Sequence, residues 1–121
     1  MKAINAFIIF VVVMLVSSNL VFAQDAAKVA PDKVKVLLDN DKVRVLDFKL
    51  KPGESTGMHS HPNYVIYFLA DGKMLTTLPD GKTSEMDVKA GDTGWSDAIT
   101  HNNKNIGKTE SHAIVVELKT H

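Results

Sequence analysis

After residue 32 no stretch of this chain sustains a 3.6-residue apolar period, while glycine, proline, asparagine and aspartate interrupt it repeatedly. Turn signals at intervals of about eight to twelve residues are the pattern of short strands in a sandwich or barrel. The expectation is an all-β domain with almost no helix. With 121 residues and 45% apolar content, the chain suffices for one domain with one modest core.

The runs between the punctuation marks read as strands. Residues 33–39 alternate Val34, Val36 and Leu38 with lysines and Leu37, and Asn40 and Asp41 make the turn. In 42–50 the apolar phase slips by one residue, from Val43 and Val45 to Leu46, Phe48 and Leu50, which predicts a bulge near Val45 and Leu46. Residues 64–70 are nearly all apolar and read as a well-buried strand. Pro79, Asp80, Gly81 and Lys82 separate two β-type runs, 73–78 and 83–89, and so predict a hairpin. A strand over 93–99, a polar stretch over 101–107 and a final strand over 111–119 complete the pattern.

The N-terminus is of another kind. Lys2 is followed by the apolar run 6–16, and Val21, Phe22 and Ala23 suit a cleavage site before Gln24, so 1–23 reads as a signal peptide. An uncleaved anchor is the alternative, because no charge lies between Lys2 and Asp25. Residues 24–32 read as a flexible polar tether with little order, and 33–121 as the folded domain. The leader carries one lysine and no acid, so 13 basic and 14 acidic residues remain in a near-neutral domain bound for the periplasm or the exterior.

With no long block of either charge, the electrostatic footprint of a nucleic-acid binder is absent. There is no cysteine, hence no disulfide framework, lipid-attachment thiol or thiolate ligand. A metal site in this chain is therefore built from imidazole, carboxylate, carbonyl or water, which suits Fe, Mn, Ni, Cu or Zn.

Two histidines supply the start of such a site. His59 and His61 stand at i and i+2 in a stretch bounded by Pro52, Gly53 and Pro62. On an extended strand that spacing projects both imidazoles from one face. His101 is a third candidate, forty residues on.

These residues carry a resemblance. Gly53, His59, His61 and Gly72 are spaced as in the first conserved motif of the cupin superfamily, and Gly91, Asp92, Trp95, His101, Asn105 and Gly107 resemble the second more loosely. Asp97 and Ile99 stand where that motif usually has proline and glycine, and His101 arrives one residue early. The resemblance covers residues 53–107 and implies a single antiparallel β-barrel of jelly-roll type. It also implies a metal near the barrel axis, held by His59, His61, His101 and a glutamate.

That glutamate is missing, because Val65 and Ile66 occupy its positions. Three neutral imidazoles leave the charge of a divalent ion uncompensated, so retention should be weaker unless an anion binds. Three-histidine sites exist in the family among thiol and diketone dioxygenases, so the resemblance favours Fe(II), with Mn, Ni, Cu or Zn as alternatives.

Around the ligands, Met58, Tyr67 and Trp95 are candidates for pocket walls, with core packing as the competing reading. His112 falls in phase with Ile114, Val116 and Leu118, which makes it a candidate inward-facing residue of the last strand. Asp97 is a candidate replacement carboxylate, and Asn63 and Tyr64 are polar neighbours of the gap. Three classes of function stay open: a metal-dependent oxygenase acting on a small molecule, a non-catalytic module binding a small ligand or a metal, and a structural barrel that pairs as a homodimer through an edge strand.

Overall fold

The computed structural model describes residues 24–119. One short helix, α1 (Ala26–Val29), precedes nine strands: β1 (Val34–Asp39), β2 (Val43–Leu50), β3 (His59–His61), β4 (Tyr64–Phe68), β5 (Gly72–Thr77), β6 (Thr83–Val88), β7 (Thr93–Ser96), β8 (Ile99–Asn105) and β9 (Ser111–Leu118). They form two antiparallel sheets of order β1-β2-β9-β4-β7 and β3-β8-β5-β6. The all-β domain expected from the turn pattern, of the jelly-roll type that the resemblance implies, is present as two sheets whose hydrogen bonding does not close into one ring.

The predicted hairpin is β5 and β6, paired from Gly72↔Val88 to Thr77↔Thr83. Its turn closes through Gly81, whose φ of 90° lies in the left-handed region that glycine adopts at no steric cost.

Three local expectations change. The bulge lies in β1, between Val36 and Leu38, directly opposite Leu46 and Val45. Strand β2 itself runs in unbroken register against β9, from Val43↔Leu118 to Leu50↔Ser111. Its apolar phase slips because the inward row begins with a charge, Arg44, ahead of Leu46, Phe48 and Leu50.

Strand β4 is half-buried, since Val65 and Tyr67 are exposed on the outer face. A run apolar on both faces looks like a fully buried strand to a sequence pattern. The polar stretch after residue 99 is a strand, β8, held between β3 and β5. It has no apolar alternation because its inward row is His101, Asn103 and Asn105.

The segment 24–32 is not the loose tether its composition suggests. Asp25 caps α1 by accepting from the Ala27 amide at 3.2 Å, and the Gln24 carbonyl accepts from the Ser60 amide at 2.6 Å. Ala26 is fully buried, in one cluster with Ala30, Val34, Leu46, Tyr64 and Val115. Small side chains let this segment pack tightly against the barrel, which a polarity scale does not register. Truncating Leu46 at the centre of that cluster to alanine should cost about 2–5 kcal/mol. Residues 1–23, on which the signal-peptide expectation falls, lie outside the described residues.

Candidate metal centre

The site begins with the loop before β3. Gly53 and Gly57 have φ of 83° and 80°, conformations that L side chains rarely adopt, and they bend the chain back over the end of β8. The Gly53 amide donates to the Asn105 carbonyl at 2.8 Å, and the Asn105 amide to the Glu54 carbonyl at 2.9 Å. Fully buried Asn105 also spans Leu50 and Thr109 through its side-chain amide, at 2.8 and 2.9 Å. Its task is therefore to brace the loop that delivers the histidines.

Strand β3 pairs with β8 so that His59 lies directly across from His101. His59, His61 and His101 are all buried, and their candidate ligand atoms lie within 4.8 Å of one another. The ring centroids stand 4.8 Å apart for His59 with His61, 4.8 Å for His59 with His101 and 5.4 Å for His61 with His101. Phe48 packs against both β3 histidines, and the Tyr64 ring lies 4.6 Å from that of His61.

Hydrogen bonds decide which nitrogen each ring presents. His59 Nδ1 is 2.8 Å from the Gly57 carbonyl, which can only accept, so Nδ1 carries the proton and Nε2 a bare lone pair. Thr56 Oγ1 stands 3.1 Å from the same nitrogen. Among the described residues, His59 Nε2 is the one buried side-chain nitrogen or oxygen without a hydrogen-bond partner. An orphan of this kind is costly in a folded chain unless another group takes its lone pair.

His61 Nδ1 lies 2.5 Å from Glu117 Oε2, which leaves its Nε2 free. His101 differs, because its Nε2 accepts from the Asn103 amide at 3.2 Å while Asn103 Oδ1 accepts from Thr76 Oγ1 at 2.8 Å.

Electrostatics keep two of the rings neutral. Burial pushes His101 down to about 3, with the neighbouring His59 and His61 adding to the shift. Burial also lowers His59, against an upward pull from the Gly57 carbonyl. A neutral imidazole is the form that binds a metal.

Beside the histidines lies a cavity of about 390 Å³ with mostly apolar walls, among them Phe48, Phe68, Met74 and Val88. Thr56, His61, Tyr64, His101 and Asn103 are among the polar residues that line it. Burial raises the Tyr64 phenol, which keeps it a neutral donor.

The remaining candidates from the sequence separate. Trp95, 56% exposed, borders the cavity, its Nε1 donating to Asp97 Oδ1 at 3.1 Å. Asp97 is thus engaged at the surface and stands outside the histidine cluster. Met58 and Tyr67 are exposed and line no part of the cavity. His112 borders the cavity but bonds Asp47 through Nε2 at 2.6 Å, away from the cluster. The buried row of β9 is Ala113, Val115 and Glu117, so the inward phase is opposite to the one that the apolar pattern suggests.

A cupin domain profile matches residues 46–117, more than half of the chain. The chain belongs to the cupin family. A cupin domain from Bordetella pertussis superposes with a TM-score of 0.67 at 28% identity, over 72% of this chain and 92% of that one. The polyketide cyclase RemF from Streptomyces resistomycificus gives 0.54 at 26% identity, over 72% and 64%. The β-alanine degradation protein BauB of Pseudomonas aeruginosa is 40% identical over 47 residues, 38% of this chain and 50% of that protein. The chain thus spans about half the length of this curated relative.

Four site residues escaped the sequence reading: Glu117, Arg44, Asn103 and Thr56. Arg44 leaves a trace there as the phase slip in β2, and Glu117 as the misleading inward phase of β9.

Proposed function

We propose that this cupin is exported and binds one divalent transition metal ion through His59, His61 and His101, with a small-molecule ligand in the adjoining cavity. The observation that carries the reading is the orphaned Nε2 of His59, buried among two further imidazoles. The donor set fits: three nitrogens suit Fe(II), Mn, Ni, Cu or Zn and leave positions open for exogenous ligands. Fe(II) is the favoured ion, by the resemblance to three-histidine cupins.

Bound there, such an ion supplies Lewis acidity and open positions for substrate. The chain's own residues define the ligand. The apolar walls take a hydrocarbon body, while Tyr64, Thr56 and Asn103 face its polar head. A head that is anionic or chelating would offset charge that the three imidazoles leave uncompensated. Export rests on the sequence of residues 1–23; among the described residues no helix is long and apolar enough to cross a membrane.

The test is bound metal, measured on untagged protein produced from the full-length chain, beside His61→Ala. One equivalent that disappears in the variant supports the reading, and an absence of metal from the parent after Fe(II) or Zn(II) loading overturns it. A catalytic reading, an oxygenase, is favoured by the cavity opening beside the cluster. Oxygen uptake by the Fe(II)-loaded protein with thiols, diketones and small carboxylates tests it. Silence across that panel leaves the binding module, because the same fold serves unrelated chemistries.

A further inference from the structure

The motif positions that lack a glutamate are Val65, which faces outward, and Ile66, which lines the cavity. A carboxylate nevertheless reaches the cluster from the neighbouring strand. Glu117 pairs across the sheet with Tyr64, is 2% exposed, and accepts from His61 Nδ1 at 2.5 Å.

Glu117 is in turn held. Arg44, its direct cross-strand neighbour on β2, donates from Nε to Glu117 Oε1 at 2.9 Å. The same guanidinium forks onto Asp25, at 2.7 Å to Oδ2 and through a second nitrogen to Oδ1. Two carboxylates against one guanidinium leave one net negative charge behind His61, the charge that a motif glutamate would have brought.

Asp25 belongs to the N-terminal segment, which also grips β3 between its two histidines. It forms a parallel bridge with Ser60, and the Gln24 carbonyl accepts from the Ser60 amide. Val29 packs so closely on Gly57 that a Cβ there would meet it at 3.0 Å, beside the carbonyl that anchors His59.

Resting on the metal-binding reading above, we infer that Glu117, fixed by Arg44 and Asp25, is a positioning residue that orients His61 and supplies the relocated negative charge. By the same contacts, docking of the segment around Asp25 and metal binding at the histidines are coupled. The coupling is reciprocal: a metal that favours the docked segment is favoured by it to the same extent.

The experiment uses Co(II) as probe, on metal-stripped protein produced from the full-length chain. Glu117→Gln keeps the shape and removes the charge. It should weaken Co(II) binding about 10–100-fold, the effect typical of an outer carboxylate behind a histidine ligand. The visible spectrum of the Co(II) form should also change, a signature that a purely structural role would not move. Asp25→Asn should weaken binding by a smaller factor, and Co(II) should slow amide exchange over Ala26–Val29 in the parent more than in this variant.

Parent-like affinity and spectrum in Glu117→Gln, in a protein that does bind Co(II), overturn this inference alone. Should Glu117→Gln fail to fold, the Asp25→Asn pair of measurements decides, and amide exchange indifferent to Co(II) overturns the coupling. A parent that binds no metal fails together with the functional reading.

Discussion

The two strands that bring the histidines together prepare them differently. On β3, His59 and His61 each donate through Nδ1 to a fixed acceptor, the Gly57 carbonyl and the Glu117 carboxylate, so both present Nε2. On β8, His101 has its Nε2 engaged by the Asn103 amide and is the ring driven furthest from protonation. The β3 half is thus preorganised by acceptors behind the ligands. The β8 half is kept neutral by burial, and its engaged nitrogen must exchange an amide partner before it can hold anything else.

The largest effect expected from this contrast is at His59. In His59→Leu the ligand is gone, so metal affinity should fall by more than the about 100-fold that loss of an outer partner can cost. The metal-stripped variant should at the same time stay within about 1 kcal/mol of the parent, because relief of the partnerless buried Nε2 offsets loss of the Nδ1 bond to the Gly57 carbonyl. Chemical denaturation in the presence of a chelator measures the second effect, and metal competition the first. A variant that loses stability while keeping the metal would end the assignment of Nε2 as the ligand atom.

Acid comes next. Unfolded, His101 takes up a proton near its ordinary value of 6.5; folded, it stays neutral down to about 3. The unfolded state therefore binds more protons throughout that window, and the stability of the metal-stripped protein must fall as pH drops from about 6.5 towards 3. One such proton contributes at most about 1.4 kcal/mol per pH unit. His59, also lowered, acts in the same direction. In His101→Leu the slope of stability against pH should shrink by roughly one proton; an unchanged slope would show that the β8 half is not held neutral by burial.

Much of this histidine cluster is legible in the sequence because side chains that converge on one point obey strand spacing. His59 and His61 at i and i+2, with His101 in a second frame, follow from strand geometry and motif pattern, and turn residues alone carried the all-β class. What was hidden lay in faces and charges. Arg44 and Glu117 sit on inward rows where pattern reasoning expects apolar residues, so the pair showed only as a slip in β2 and a wrong inward phase for His112. Asp25, Ala26 and Ala27 resemble a tether because their side chains are short; the cap residue ahead of helix-forming alanines is the signal that the pattern offers. Tyr67 and Val65 looked interior because an apolar outer face cannot be told from a core by hydrophobicity.

A smaller effect separates the two strands further. If Asn103 competes for the His101 lone pair, Asn103→Ala should tighten metal binding about fivefold, the equivalent of one net hydrogen bond of about 1 kcal/mol. Weaker binding would mean that Asn103 orients the ring and that His101 presents Nδ1 instead, which would make β8 as preorganised as β3.

The smallest effect on the metal should come from Thr56→Val, on the β3 side. Thr56 Oγ1 stands 3.1 Å from His59 Nδ1, but the Gly57 carbonyl is nearer at 2.8 Å and suffices to hold the proton there. Metal affinity should therefore stay within about threefold of the parent, less than one net hydrogen bond is worth. Stability should respond more, because Oγ1 also accepts from the backbone N–H of Asn103 at 3.2 Å in a place where Thr56 is 3% exposed. Leaving that donor unsatisfied costs about 1–3 kcal/mol. Denaturation midpoint and metal affinity measured on the same variant thus part company. If instead affinity collapses while stability holds, the hydroxyl rather than the backbone carbonyl sets the His59 tautomer, and the preorganisation of β3 depends on a side chain that one substitution removes.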